Sequence, residues 1–135
     1  MSSVTSASSI PQERTVAIGG FGAIGQKIAA ALDAGIPGLR LVAVSARNVA
    51  RAQAVVNTYR QPVPVLSLGE LAHVADVVVE CAPAEVFAAL AEPALRAGRT
   101  LLVISVGALV ARQAHYQALA QAHGANIIVA TGALL

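Results

Sequence analysis

Short apolar runs and amphipathic stretches alternate along this chain of 135 residues. Aliphatic runs at residues 15–19, 39–45, 76–80, 100–105 and 126–130 are of strand length. The near-continuous Leu41-Val42-Ala43-Val44 and Val77-Val78-Val79 are typical of strands covered on both faces. A further run at 62–66 carries Pro62 and Pro64, which lack donor N–H groups, and predicts a strand at a sheet edge. Helical stretches fall between these runs. Residues 22–32 predict a first helix, ended by the turn containing Gly35, Pro37 and Gly38. Asn48 is placed to cap a helix reaching about residue 59, and Ser67 a short one to about residue 72. Pro83 suits a first helical position and opens a helix to about residue 97, bent by Pro93 and stopped by Gly98. The last helix spans 110–123 and ends at Gly124.

Six strands joined by helical crossovers predict an α/β fold with a doubly wound parallel sheet, because right-handed crossovers put helices on both faces. The expected strand order is 3-2-1-4-5-6, a Rossmann fold, with a ligand crevice beyond the carboxyl ends of strands 1 and 4. Residues 14–135 form this single domain. The serine-rich residues 1–13 are expected to be a disordered tail, since they have neither the basic start nor the apolar core of a signal peptide.

Between the first strand and the first helix stands Gly20-Phe21-Gly22-Ala23-Ile24-Gly25. A G-x-G-x-x-G in that position is a dinucleotide fingerprint, and each glycine has a physical task. Gly20 permits the sharp turn. Gly22, without a Cβ, lets the main chain approach a diphosphate. Gly25 lets the new helix pack close to the strand it has left. The helix N-terminus then presents N–H groups and a positive dipole end to the anion.

Composition narrows the picture. Hydrophobic residues make up 56% of the chain and charged residues 12%, well below the usual quarter or so for charge. No apolar run reaches the ~20 residues of a membrane span, so the expectation is a domain with apolar faces covered by another domain or subunit. The net charge is +2, and the basic residues, arginines except for Lys27, are scattered and almost without aromatic neighbours. Nucleic acid binding needs a basic stripe or stacking rings and is not expected. The single cysteine, Cys81, excludes an internal disulfide and suits a reducing compartment, so a cytoplasmic location is expected. His73, His115 and His123 lack metal-ligand spacing and are read as surface or helix-terminal residues; no metal is expected.

Residues at the strand ends refine the cofactor. An NAD-selective site commonly has a carboxylate about 20 residues past the glycines. Here the position is occupied by Ser45-Ala46-Arg47-Asn48. Ser45, Arg47 and Asn48 offer donors, and Arg47 suits a 2′-phosphate, so NADP is favoured with NAD as the alternative. The competing reading of Arg47 and Arg51 is a solvated helix start. Glu80-Cys81-Ala82-Pro83 leaves the fourth predicted strand across the crevice, where small Cys81 and Ala82 leave room for the cofactor's central portion. Cys81 has no activating base and reads as a packed thiol. Glu80 reads as structural or as a helix-terminus carboxylate. Ser105-Val106-Gly107-Ala108-Leu109 reads as a loop near the nicotinamide end, with Gly107 supplying an unusual backbone angle; a plain strand-to-helix turn is the alternative.

Gly19-Gly20-Phe21-Gly22-Ala23-Ile24-Gly25, Val78-Val79-Glu80-Cys81-Ala82, Ser105-Val106-Gly107-Ala108-Leu109 and Thr131-Gly132-Ala133-Leu134-Leu135 together resemble the L-aspartate dehydrogenase family, from about Arg14 onward. The resemblance implies a two-domain, homodimeric oxidoreductase that interconverts L-aspartate and iminoaspartate with NAD or NADP and can feed NAD biosynthesis. It also implies a cofactor contact at Ala108. The family's catalytic histidine belongs to a later substrate-binding part, so no residue here takes the catalytic role. The resemblance thus implies an NAD(P)-binding domain, inactive alone, whose partners are the dinucleotide, a substrate domain absent from this chain, and a second subunit. A stand-alone nucleotide-sensing module is the reading from another class, and the first domain of homoserine dehydrogenase or dihydrodipicolinate reductase a third.

Overall fold

A computed structural model of the chain describes residues 13–130. The tail expected over 1–13 lies outside them but for Glu13, and the Thr131-to-Leu135 motif lies outside them entirely. Five strands form one parallel sheet: β1 (Arg14–Gly19), β2 (Leu39–Ser45), β3 (Val77–Glu80), β4 (Thr100–Val103) and β5 (Asn126–Val129), in the order β2-β1-β3-β4-β5. The helices are α1 (Ala23–Ala34), α2 (Val49–Val56), α3 (Leu71–Val74), α4 (Phe87–Arg96), α5 (Val106–Ala111) and α6 (Gln113–His123), with a 3₁₀ turn at Ala84–Val86 before α4.

The predicted sheet differs in one strand. Residues 62–66 make a single parallel bridge, Val44 with Val65, through Val44 N–H to the Pro64 carbonyl at 3.1 Å and Leu66 N–H to the Val44 carbonyl at 2.8 Å. The next rung toward Val42 would need an N–H from Pro64, which has none, so the ladder stops. The segment therefore sits where the 3-2-1-4-5-6 order places it, beside β2, but is not a sixth strand.

The two faces of the sheet separate by strand alternation. On one face Ala17, Val78, Leu101 and Ile127 pack with Phe87, Leu90 and Leu95 of α4 and with Tyr116 and Ala120 of α6. On the other, Val16, Ile18, Leu41 and Val44 pack with Ala29 and Leu32 of α1 and Val56 of α2. Burying one such aliphatic or aromatic side chain contributes about 1.5–3 kcal/mol. The α1 face is covered less completely than its opposite: beside α1 a shallow apolar groove of about 390 Å³ runs over Val77, Val79 and Leu102.

Local signals act largely where expected. Asn48 caps α2, its Oδ1 accepting from Arg51 N–H at 3.0 Å. Ser67 and Glu70 cap each other before α3, Ser67 Oγ accepting from Glu70 N–H at 3.3 Å and Glu70 Oε1 accepting from Ser67 N–H at 2.9 Å. Gly124 ends α6 in the left-handed region at φ +67°. The stretch after β4 departs from expectation. Residues 106–109 belong to helix α5 rather than a loop, because Val106 and the fully buried Leu109, three residues apart, share one inward helical face. Gly107 lies inside that helix and is not among the glycines with positive φ. The single helix predicted over 110–123 is two, divided at Arg112.

Candidate functional site

Register places the site. Gly19 pairs with Ser45 of β2 on one side and with Glu80 of β3 on the other, and Glu80 pairs with Val103 of β4. The carboxyl ends of four strands thus lie level. The chain leaves β1 toward α1 between β2 and β3, the point where the strand order reverses, and a crevice opens there.

Gly20 turns the chain at φ +105°, and a Cβ on it would stand 2.6 Å from both the carbonyl carbon and the carbonyl oxygen of Cys81. The turn and the β3 exit are therefore in main-chain contact, which no other residue type permits. A Cβ on Gly25 would run into the Gly20 carbonyl oxygen and lie 3.4 Å from Cγ2 of Ile18. The tightest constraint at Gly25 is thus the turn itself, with the strand second. Gly22 is the contrast. Its backbone is extended, at φ −80° and ψ −159°, and it is the N-cap of α1 without a side-chain cap. A Cβ there would meet nothing within 4 Å. Gln26 steadies the turn by donating from Nε2 to the Phe21 carbonyl at 3.1 Å.

The open space in front of Gly22 is a cleft of about 850 Å³, within the size range of small-molecule and cofactor sites. It runs from Asn48, Arg51 and Val55 at the β2 side, past Gly20, Phe21 and Gly22, to Cys81, Ala82 and Val86 at the β3 side. Of the residues singled out in the sequence, Gly20, Phe21, Gly22, Ser45, Arg47, Asn48, Cys81 and Ala82 line this cleft. Ala23, Ile24 and Gly25 do not; they form the first turn of α1 behind the glycine bend. Ala108 also lies off its lining, on α5 beyond the end of β4. Arg51, named in the sequence only as part of a solvated helix start, does line it, as do Gln26 and Glu85, which sequence reasoning did not select. The signal for Gln26 was its place four residues past Gly22, one helical turn from the N-cap.

Charge is arranged along the cleft. Among the described residues neither Arg47 nor Arg51 has a carboxylate within ion-pair distance, so both guanidinium groups are available at the β2 end. The thiol of Cys81 is half-buried, and its pKa is pushed up to about 11, first by burial and second by the Glu80 carboxylate. At neutral pH it is a thiol, not a nucleophilic thiolate. His115 faces Glu92, with Nε2 3.3 Å from Oε2, on the α4–α6 surface away from the cleft. Among the described residues no group of three or more His, Cys, Asp or Glu side chains is placed to hold a metal ion.

Directly under the cleft wall Glu80 is completely buried. Its Oε1 accepts from the N–H groups of Ile104 at 3.0 Å and Ser105 at 2.7 Å, and its Oε2 from Ala82 N–H at 3.2 Å. Ser105 Oγ donates to the Ala82 carbonyl at 3.2 Å. Both polar ends of the carboxyl group are thereby satisfied without a cation.

A parallel α/β sheet with a glycine turn and a helix N-terminus facing a crevice at its switch point is the architecture of a dinucleotide-binding domain. The chain belongs to the family of homoserine dehydrogenase NAD-binding domains, whose model matches residues 20–130. It is similar to L-aspartate dehydrogenase from Bradyrhizobium diazoefficiens, 49% identical over 123 residues, which is 91% of this chain and 43% of that protein. L-aspartate dehydrogenase 3 of Bordetella bronchiseptica is 42% identical over 125 residues, covering 92% of this chain and 46% of that protein. The chain thus spans less than half the length of these curated relatives. Among solved structures it is similar to biliverdin reductase of Synechocystis in complex with biliverdin and NADP⁺, with a TM-score of 0.72 and 26% identity, covering 85% of this chain and 37% of that one.

Proposed function

We propose that the cleft binds a nicotinamide dinucleotide and that the chain is the cofactor half of an oxidoreductase of the L-aspartate dehydrogenase type. The observation that carries the reading is Gly22: an extended N-cap with open space where a side chain would be, facing an 850 Å³ cleft. The diphosphate lies against the main chain of Gly20, Phe21 and Gly22, with the first-turn N–H groups of Ala23, Ile24 and Gly25 behind it. The adenosine ribose lies toward Ser45, Arg47 and Asn48, where Arg47 and Arg51 favour a 2′-phosphate and hence NADP over NAD. The nicotinamide end extends past Cys81 and Ala82 toward Ala108.

The cofactor, when bound, supplies or takes the hydride; these residues hold and orient it. The substrate carboxylate anchors and the acid–base group are assigned to residues outside this set, so the chain alone turns over L-aspartate negligibly. The fraction of the longer relatives that it spans supports this division. A homo-oligomer is part of the reading, supported by the apolar groove over Val77, Val79 and Leu102, as is a cytoplasmic location, supported by the single unpaired cysteine. No helix among the described residues is long and apolar enough to cross a membrane.

Calorimetric titration of the chain with NAD⁺, NADP⁺ and NADPH tests the proposal. The expected result is saturable one-site binding, tighter for the phosphorylated forms. Absence of binding to all three overturns it, and a measurable aspartate-dependent rate from this chain overturns the division of labour.

A further inference from the structure

We infer that Glu80 is a positioning residue for the nicotinamide end of the cofactor, acting as a buried bracket that holds the wall of the cleft; the inference rests on the cofactor reading above. Its motivation is an arrangement that core stability alone does not require. A carboxyl group is completely buried at the end of β3, and its three hydrogen bonds all go to main-chain N–H groups of the segments that leave β3 and β4. A buried polar group persists only where its partners are supplied. Here the partners belong to the two strand exits beside the cleft.

The geometry divides the carboxyl group in two. Oε1 takes Ile104 and Ser105, at the exit of β4 and the start of α5. Oε2 takes Ala82 alone, and Ala82 together with Cys81 is cleft wall. Ser105 Oγ closes the loop by donating to the carbonyl of the same Ala82. The backbone of Ala82 is thus held at both its N–H and its carbonyl, by side chains from two different strand exits. The neighbouring Cys81 is in contact distance of the Gly20 turn. None of these bonds involves the β2 portion of the cleft, whereas the Gly20 turn abuts the Cys81–Ala82 main chain. Loosening the bracket therefore moves the wall at the β3 end most and the adenosine portion, toward β2, least.

Glu80→Gln separates these parts chemically. An amide keeps one acceptor oxygen for Ile104 and Ser105, but its NH₂ then faces Ala82 N–H, donor against donor. The test compares two probes by calorimetry on the full chain: the oxidised dinucleotide NADP⁺, and 2′-phospho-ADP-ribose, which lacks only the nicotinamide. Loss of one buried hydrogen bond corresponds to about tenfold in affinity. Glu80→Gln is expected to weaken NADP⁺ by about that factor and to leave the ribose probe within about twofold. A Ser105→Ala variant, which removes only the Oγ bond to Ala82, is expected to show the same selectivity at about threefold, and it decides the matter if Glu80→Gln does not fold. Equal weakening of both probes, or of neither, overturns the inference, as does a wild-type chain that binds both probes equally tightly. A wild-type chain that binds neither probe overturns the cofactor reading itself.

Discussion

Replacing Gly22 by aspartate sets folding against binding at one position. In the free chain the substitution is favourable. The backbone at φ −80° is one any residue adopts, nothing lies within 4 Å of the added Cβ, and the N-cap of α1 has no side-chain partner. An aspartate there accepts a first-turn N–H, worth a few tenths of a kcal/mol over glycine at an N-cap. Its charge at the positive helix end adds about 0.3–1 kcal/mol. The sum, about 0.5–1.4 kcal/mol, raises Tm by roughly 2–6 °C for a domain of this size. With a dinucleotide the same carboxylate stands where the diphosphate belongs. Two unit charges 4 Å apart repel by about 1 kcal/mol in bulk water and about 4 kcal/mol at an effective dielectric of 20. In a cleft open on one side the penalty is about 2 kcal/mol or more, at least ~30-fold in affinity. Thermal melting and calorimetric titration with NADP⁺, run on the same preparation, read both effects. A Gly22→Asp variant that melts no lower than the parent and binds NADP⁺ equally well refutes the placement of the diphosphate. A variant that melts many degrees lower refutes the statement that the open space at Gly22 is not a folding requirement.

Gly20→Ala tests the opposite case: a side chain at φ +105°, driven to 2.6 Å from the Cys81 main chain, costs about 2–4 kcal/mol and lowers Tm by roughly 10 °C or more. Little change in the melting curve argues that the turn and the β3 exit are not in contact. Arg47→Ala is expected to weaken NADP⁺ by about tenfold while leaving NAD⁺ nearly unchanged, measured by parallel titrations; equal loss of both removes Arg47 from the 2′-phosphate. At the opposite, amino-terminal ends of β1 and β3, Asp76 accepts from the N–H and hydroxyl of Thr15 at 3.0 and 3.1 Å, and these bonds hold its carboxyl below the usual carboxylate range. A depressed folded-state pKa gives stability that is present above the unfolded value, near 3.9, and lost as pH falls through the folded one. The Tm gap between the wild type and Asp76→Asn should therefore be full at neutral pH and close below about pH 4; a pH-independent gap contradicts the assignment.

Much of this molecule was readable from residue order alone. The alternation of apolar runs and helical stretches gave a parallel sheet and its strand order, because period and crossover handedness are local properties with few global solutions. The roles of Gly20 and Asn48 were readable for a similar reason: a positive φ and an N-cap depend on the chain within a few residues. The glycine turn, Ser45, Arg47, Asn48, Cys81 and Ala82 could be placed on one cleft once the sheet was known, since strand ends in such a sheet lie level.

Tertiary packing decided the rest. Whether residues 62–66 became a strand turned on which rung required an N–H from Pro64, and that depends on register against β2. The helical state of 106–111 was set by the burial of Leu109 in the core on the sheet face covered by α4 and α6, which also carried Ala108 away from the cleft lining. The bracket at Glu80 was invisible in sequence because its partners, Ile104 and Ser105, stand 24 and 25 residues away. A structural role for Glu80 could be read in the sequence, but only the meeting of two strand exits supplies the main-chain donors that let its carboxyl group be buried.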